Sequence, residues 1–100
     1  MKHFLIEIQY TAPLEKIDEI LAQHRAFLQI GYEKGMLLCS GPKNPRTGGV
    51  VIARAESLAE IQNFFEQDPY NQQKAAKYIF SEFTPVKYQP FLENWVSGKE

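Results

Sequence analysis

Between Pro13 and Lys34 the apolar side chains recur at helical spacing. At about 100° per residue, Ile17, Ile20, Leu21, Phe27, Leu28 and Gly31 gather on one side of a helix. Glu15, Asp18, Glu19, Ala22, Gln29 and Glu33 fall on the other side. Such a helix owes most of its stability to burial of its stripe against another layer, so the rest of the chain must supply that layer. His24 lies near the middle of the stripe, one turn after Ile20 and Leu21 and one turn before Phe27 and Leu28. A titratable ring in a position suited to leucine is either a satisfied core histidine or a group placed for chemistry.

The flanking segments read as strands. Phe4, Ile6, Ile8 and Tyr10 alternate with His3, Leu5, Glu7 and Gln9, a period of two with one strongly apolar face. Thr11-Ala12-Pro13 breaks this strand, with Thr11 as the expected helix cap and Pro13 tolerated in the first turn. Gly35 stops the helix. Met36 to Ser40 forms a short apolar strand ending at Gly41-Pro42, and the turn-rich stretch Lys43 to Gly49 leads into a returning strand from Val50 to Ala55. Ser57 and Glu60 have the spacing of a capping box, opening a second helix with Leu58, Ile61, Phe64 and Phe65 on one face. Asp68-Pro69 ends it. A short helix is expected from Tyr70 to Ala76, then a last strand from Tyr78 to Phe83 that extends through Val86 and Tyr88. The apolar tail Phe91 to Val96 is expected to pack on the domain or on a partner.

The order strand, helix, strand, strand, helix, strand is that of a ferredoxin-like α+β sandwich, a four-stranded antiparallel sheet with both helices on one face. The opposite face is expected to carry Leu5, Leu37, Cys39, Val51, Ala53, Ile79 and Phe83. That set is too apolar to stand in water, and the expected cover is the same sheet of a second subunit in a two-fold homodimer. The competing arrangement has Phe91 to Val96 covering the face within one chain.

The 100 residues suit one domain, residues 1–100, with about 90–100 as its tail. Lys and Arg are dispersed and the formal net charge is −1, which argues against a nucleic-acid-binding face or an anionic-membrane binder. No apolar run approaches a membrane span, and Glu7 interrupts the N-terminal apolar stretch too early for a signal peptide. One cysteine, Cys39, precludes an intrachain disulfide and fits a reducing compartment. With two histidines beside it there is no metal-ligand spacing. The expectation is a cytoplasmic protein with no metal and no other cofactor.

Four short motifs, in order, resemble the YCII-related (YciI-like) family. They are His24-Arg25 in the first helix, Gly35 through Ser40-Gly41-Pro42, the Gly48-Gly49 entry to the third strand, and Asp68-Pro69-Tyr70 after the second helix. The resemblance runs from Met1 to about Pro85. It implies a ferredoxin-like unit that pairs into a dimeric α+β barrel, with His24 and Asp68 as an active-site pair. Family function is mostly unassigned, although a dehydrochlorinase of chlorinated hydroxyhydroquinones is similar to its members. This chain departs from the pattern at Asn71-Gln72-Gln73-Lys74, where many members carry small residues and Gly, and in its longer tail.

A carboxylate on one ring nitrogen of a histidine fixes the tautomer and raises the basicity of the other nitrogen, so a His24–Asp68 pair could take a proton from a phenol, an enol or a bound water. No Ser or Cys stands in a nucleophile-elbow context, which disfavours acyl-enzyme chemistry. Asp68 before Pro69 also suits a helix N-cap, a role compatible with orienting His24 because a carboxylate has two oxygens. Arg25, at the edge of the stripe, suits a substrate anion or a solvated surface. Ser40, at a strand end, suits a pocket wall or a strand terminator. Tyr10 and Tyr70 suit a pocket rim or the aromatic core. His3 reads as structural or interfacial and Cys39 as a small buried hydrophobe. Two function classes follow: a cofactor-independent small-molecule enzyme of lyase, dehydrochlorinase-like or hydrolase-like type, or a non-catalytic dimeric module that binds a small ligand or assists another enzyme.

Overall fold

A computed structural model describes residues 1–99. Its axis is strand β1 (Lys2–Tyr10), followed by helix α1 (Leu14–Glu33), strands β2 (Leu37–Pro42) and β3 (Gly48–Ala55), helices α2 (Leu58–Glu66) and α3 (Pro69–Gln72), and strand β4 (Ala76–Phe83). A 3₁₀ turn at Pro90–Leu92 and a short helix α4 (Glu93–Ser97) complete it. The sheet has the order β2-β3-β1-β4, and every neighbouring pair is antiparallel. This is the ferredoxin-like α+β arrangement, with β1 and β3 central and each crossover helix carrying the chain from a central strand to an edge, β1 to β2 and β3 to β4.

The helix-facing side is the core. Phe4, Ile6 and Ile8 of β1 meet Val51, Ala53 and Ala55 of β3, under Ile17, Ile20 and Phe27 of α1 and Ile61 and Phe65 of α2. The end of α1 follows its sequence signal. Gly35 takes a left-handed φ of 73°, its N–H donates to Tyr32 O, and the Met36 N–H donates to Gly31 O, so two terminal carbonyls are satisfied. Ser57 caps α2 by accepting from the Glu60 N–H at 3.1 Å.

Several expectations need correction. The N-cap of α1 is Pro13 with no side-chain bond, while Thr11 donates to Lys74 O and Ala75 O and so ties the start of α1 to the turn before β4. Helix α3 is one turn long, and β4 takes over at Ala76 and ends at Phe83 instead of continuing to Tyr88. Leu58 is exposed. Leu37, Val51 and Ala53, expected on the open face, are core residues. Strand β3 is apolar on both faces, so its alternation carries no parity; the register Phe4↔Ala53 and Ile6↔Val51 sets it. Cys39, expected to be buried, is exposed. An irregularity in the pairing between Leu37 and Cys39 places the two on opposite faces despite their two-residue spacing.

Leu5, Cys39, Ile79 and Phe83 do occupy the open face. The tail covers one end of it within the chain. Trp95 packs on His3 with ring centroids 5.5 Å apart, lies under the Arg54 guanidinium at 5.1 Å, and donates its indole N–H to Gly35 O at 3.2 Å. Leu5, Ile79 and Phe83 remain 39, 45 and 42% exposed.

Two predictions follow from this packing. A Cβ on Gly48 would stand 1.9 Å from Ile8 O, a backbone atom that cannot yield cheaply, so Gly48→Ala is expected to cost about 2 kcal/mol or more in urea unfolding. Burial beneath the tail lowers the His3 pKa, helped by the N-terminal ammonium and Arg54 and opposed by a bond to the Val96 backbone. The unfolded chain therefore takes up this proton first. The contribution of His3 is complete above its ordinary value of 6.5 and is lost as pH falls below it. Fluorescence of Trp95, the chain's one tryptophan, should report loosening of the tail on acidification below that value, and His3→Phe should abolish the response.

Candidate active site

The Asp-Pro step after α2 does two things at once. Proline at the first helical position opens α3, and Asp68 takes its N-cap, accepting from the Tyr70 N–H at 3.0 Å through Oδ1. The capped turn delivers the carboxylate to the apolar face of α1, where Oδ1 lies 2.8 Å from Nδ1 of His24. The other oxygen, Oδ2, accepts from the Tyr78 hydroxyl of β4 at 2.7 Å. Asp68 is fully buried and His24 only 8% exposed.

A buried carboxylate must be matched by donors, and Asp68 is. Burial, and then Asp68 itself, push the Tyr78 phenol far above its ordinary range, so Tyr78 stays protonated and donates. With Tyr70 N–H and Tyr78 O–H both donating, the carboxylate also accepts from His24, and Nδ1 carries the proton. Nε2 then has no protein partner among the described residues and holds the free lone pair. The imidazole is clamped from one face by Tyr70, whose ring stacks on it at 4.0 Å and 17°.

His24 forms part of the wall of a cleft of about 420 Å³, within the usual size of small-molecule sites. Ile8, Leu21, Leu28 and Val51 give it an apolar lining, and Ser40 and Pro42 of β2 border it. Arg25, one residue along α1, and Arg46, from the β2–β3 connection, also line it. Arg46 is anchored by Asp18 at 2.7 Å, a pairing that raises its pKa further. Ser40 Oγ is 2.6 Å from the Tyr32 hydroxyl.

The structure thus brings together the six candidate site residues, while His3 lies under the tail and Cys39 on the open sheet face. His24, Arg25, Ser40, Tyr10 and Tyr70 line one cleft, and Asp68 stands behind His24. Of the two readings for Tyr70, rim or aromatic core, the structure shows the core position, at 1% exposure, with the ring also lining the cleft. Among the described residues its hydroxyl makes no hydrogen bond of normal geometry; burial, and then the neighbouring Tyr10, raise its pKa above the ordinary range. Tyr78 and Arg46 were not anticipated. Tyr78 alternates with Ala76 and Phe80 on the helix-facing side of β4, and a phenol at a buried strand position calls for an acceptor. Arg46 lies in a stretch that reads only as a turn. Among the described residues, no group of three or more His, Cys, Asp or Glu side chains is placed to hold a metal ion.

The sequence profile of the YCII-related domain matches residues 1–84. Among solved structures, the chain is similar to the 5-chloro-2-hydroxyhydroquinone dehydrochlorinase of Burkholderia phenoliruptrix AC1100 in complex with 2,5-dihydroxybenzoquinone. Sequence identity is 24% and the TM-score 0.72, over 89% of this chain and 97% of that one. No curated protein matches the chain.

Tyr78→Phe removes one of the three donors to a carboxylate that has no access to water. It is expected to cost about 1–3 kcal/mol in chemical denaturation, with no change in fold by circular dichroism.

Proposed function

The chain belongs to the YCII-related family, and from that premise we propose that it is a cofactor-independent small-molecule enzyme in which His24 moves a proton and Asp68 orients it. The observation that carries this reading is the 2.8 Å contact between Nδ1 of His24 and Oδ1 of Asp68, made by a ring that lines a cleft. Asp68 holds the Nδ1–H tautomer and stabilises the imidazolium that forms when Nε2 takes a proton. Tyr78 and the Tyr70 N–H hold Asp68 in turn. Dehydrochlorination removes the elements of HCl and requires a base for the proton, and hydrolysis requires a base to activate water. A dyad of this kind serves either. The similar dehydrochlorinase acts, by its name, on 5-chloro-2-hydroxyhydroquinone, which makes hydroxylated and chlorinated hydroquinones the first substrates to try.

Chloride release and solvent-deuterium incorporation across such a panel test the proposal. The native chain is expected to turn over at least one compound. His24→Gln should lower the rate by about 10²–10⁴ while keeping the thermal melting profile of a folded protein. Equal rates in the two proteins would remove His24 from the chemistry and leave a non-catalytic binding or accessory module.

The proposed working form is a homodimer joined through the open sheet face. Leu5, Ile79 and Phe83 are partly exposed there beside Ile52 and Val50, and an apolar sheet face left in water is a liability. The tail shields only the His3–Arg54 end. Light scattering at micromolar concentration is expected to give twice the 11.5 kDa chain mass, and Phe83→Lys to shift it toward the monomer. A monomer mass for the native chain would refute the pairing. No helix among the described residues is long and apolar enough to cross a membrane. The exposed thiol of Cys39 suits the reducing cytoplasm, the compartment proposed for the protein.

A further inference from the structure

The charge on the cleft wall is one-sided. Arg25 and Arg46 both line it and no Asp or Glu does, in a chain whose formal net charge is −1. Arg25 has no hydrogen-bond or ion-pair partner among the described residues. Arg46 is bonded to Asp18 through Nη2 and also interacts with the Tyr10 side chain, and a guanidinium carries five donors, so part of its hydrogen-bonding capacity is uncommitted. Its loop is held to β1 by the Tyr10 N–H, which donates to Thr47 O at 3.0 Å. The position of the guanidinium is therefore set from two sides, by Asp18 on α1 and by the end of β1. Tyr10 lies at this end of the cleft beside Tyr70, the ring planes at 73° and the Tyr70 hydroxyl without a hydrogen bond of normal geometry among the described residues. Apart from His24 and Ser40, the rest of the wall is apolar or glycine.

We propose that the cleft is a receptor for a small planar acid, a carboxylate or an ionised enol or phenol, whose negative oxygen is held by Arg25 and Arg46 while its ring lies on the apolar wall beside His24. The inference names the substrate class for the acid/base chemistry proposed above and rests on that reading for its relevance to turnover. The charge preference itself rests only on the wall. Planar delocalised anions match guanidinium geometry through paired N–H donors. An apolar surround strengthens each such contact by excluding water. A neutral molecule of the same shape gains the apolar contacts and loses the charged ones.

Benzoate and benzamide form a suitable probe pair, alike in shape and differing in charge. Titration followed by the amide resonances of α1 and of the β2–β3 connection should show benzoate binding about tenfold or more tightly than benzamide, the ratio expected when a hydrogen bond to a charged group is worth about 1.4 kcal/mol or more. Arg25→Gln and Arg46→Gln should each weaken benzoate several-fold and leave benzamide unaffected, and raised salt should act in the same direction. Asp18→Asn should tighten benzoate, because it frees Arg46 from a competing carboxylate. This last variant separates a ligand-binding guanidinium from one that merely pins the loop, which would respond to loss of Asp18 by weaker binding. Benzamide binding as tightly as benzoate, absence of benzoate binding, or indifference to both arginine variants would overturn the inference. Those outcomes are distinct from failure of the acid/base reading. Charge-selective binding without His24-dependent turnover would strike the chemistry alone, and His24-dependent turnover of charged and neutral substrates alike would strike the arginine wall alone.

Discussion

A carboxylate with no access to water can persist only if every side of it is answered by a donor. Asp68 is in that position, and the answers come from three separate parts of the chain: His24 on α1, the Tyr70 N–H that opens α3, and the Tyr78 hydroxyl on β4. The burial of one acid thereby fixes how the long helix, the turn after α2 and the edge strand meet. It also fixes what the imidazole can do, since a ring whose Nδ1–H is committed to a carboxylate and whose face is covered by Tyr70 has only Nε2 left to offer. The same contacts that settle the core leave one basic nitrogen for the cleft.

The cleft is a consequence of this meeting. Helix α1 lies over β1 and β3, and the connection from β2 to β3 bends back toward it, where Arg46 reaches Asp18. Close approach of backbone at Gly48, where any side chain would strike Ile8 O, brings that connection near the end of β1. A floor of aliphatic residues, two guanidinium groups and a histidine then share one concave surface. Shape, charge and the exposed edge of an imidazole each have a separate structural origin.

Much of this was legible in the sequence, and the limits have physical reasons. The stripe of α1 showed His24 at a core phase because helical periodicity is strong over so long a segment, and Gly35 and Ser57 marked their helix ends through specific backbone needs. The pairing of His24 with Asp68 came from the family resemblance; periodicity alone carries no information on contacts between residues so far apart. Strand β3 misled because Val50, Val51, Ile52 and Ala53 are apolar on both faces, so its orientation depends on register with β1. The irregularity after Leu37 turned Cys39 outward, and no residue type announces it. Tyr78 and Arg46 were silent for a related reason: a tyrosine in an aromatic strand and an arginine in a turn are ordinary until the fold sets them beside Asp68 and Asp18. The tail was expected to pack, but only the structure shows Trp95 reaching Gly35 O, His3 and Arg54.

The proposed chemistry depends on Nε2 of His24 being left open while Nδ1–H is committed to Asp68. Nitrogen-15 NMR of the neutral imidazole reads this directly. The native chain is expected to hold the Nδ1–H tautomer, with the Nδ1 proton shifted strongly downfield by its bond to a carboxylate, and Asp68→Asn to return toward the mixed tautomers of a free histidine. A His24 ring protonated at Nε2, or one whose tautomer is unchanged when Asp68 is replaced, would contradict the proposed arrangement.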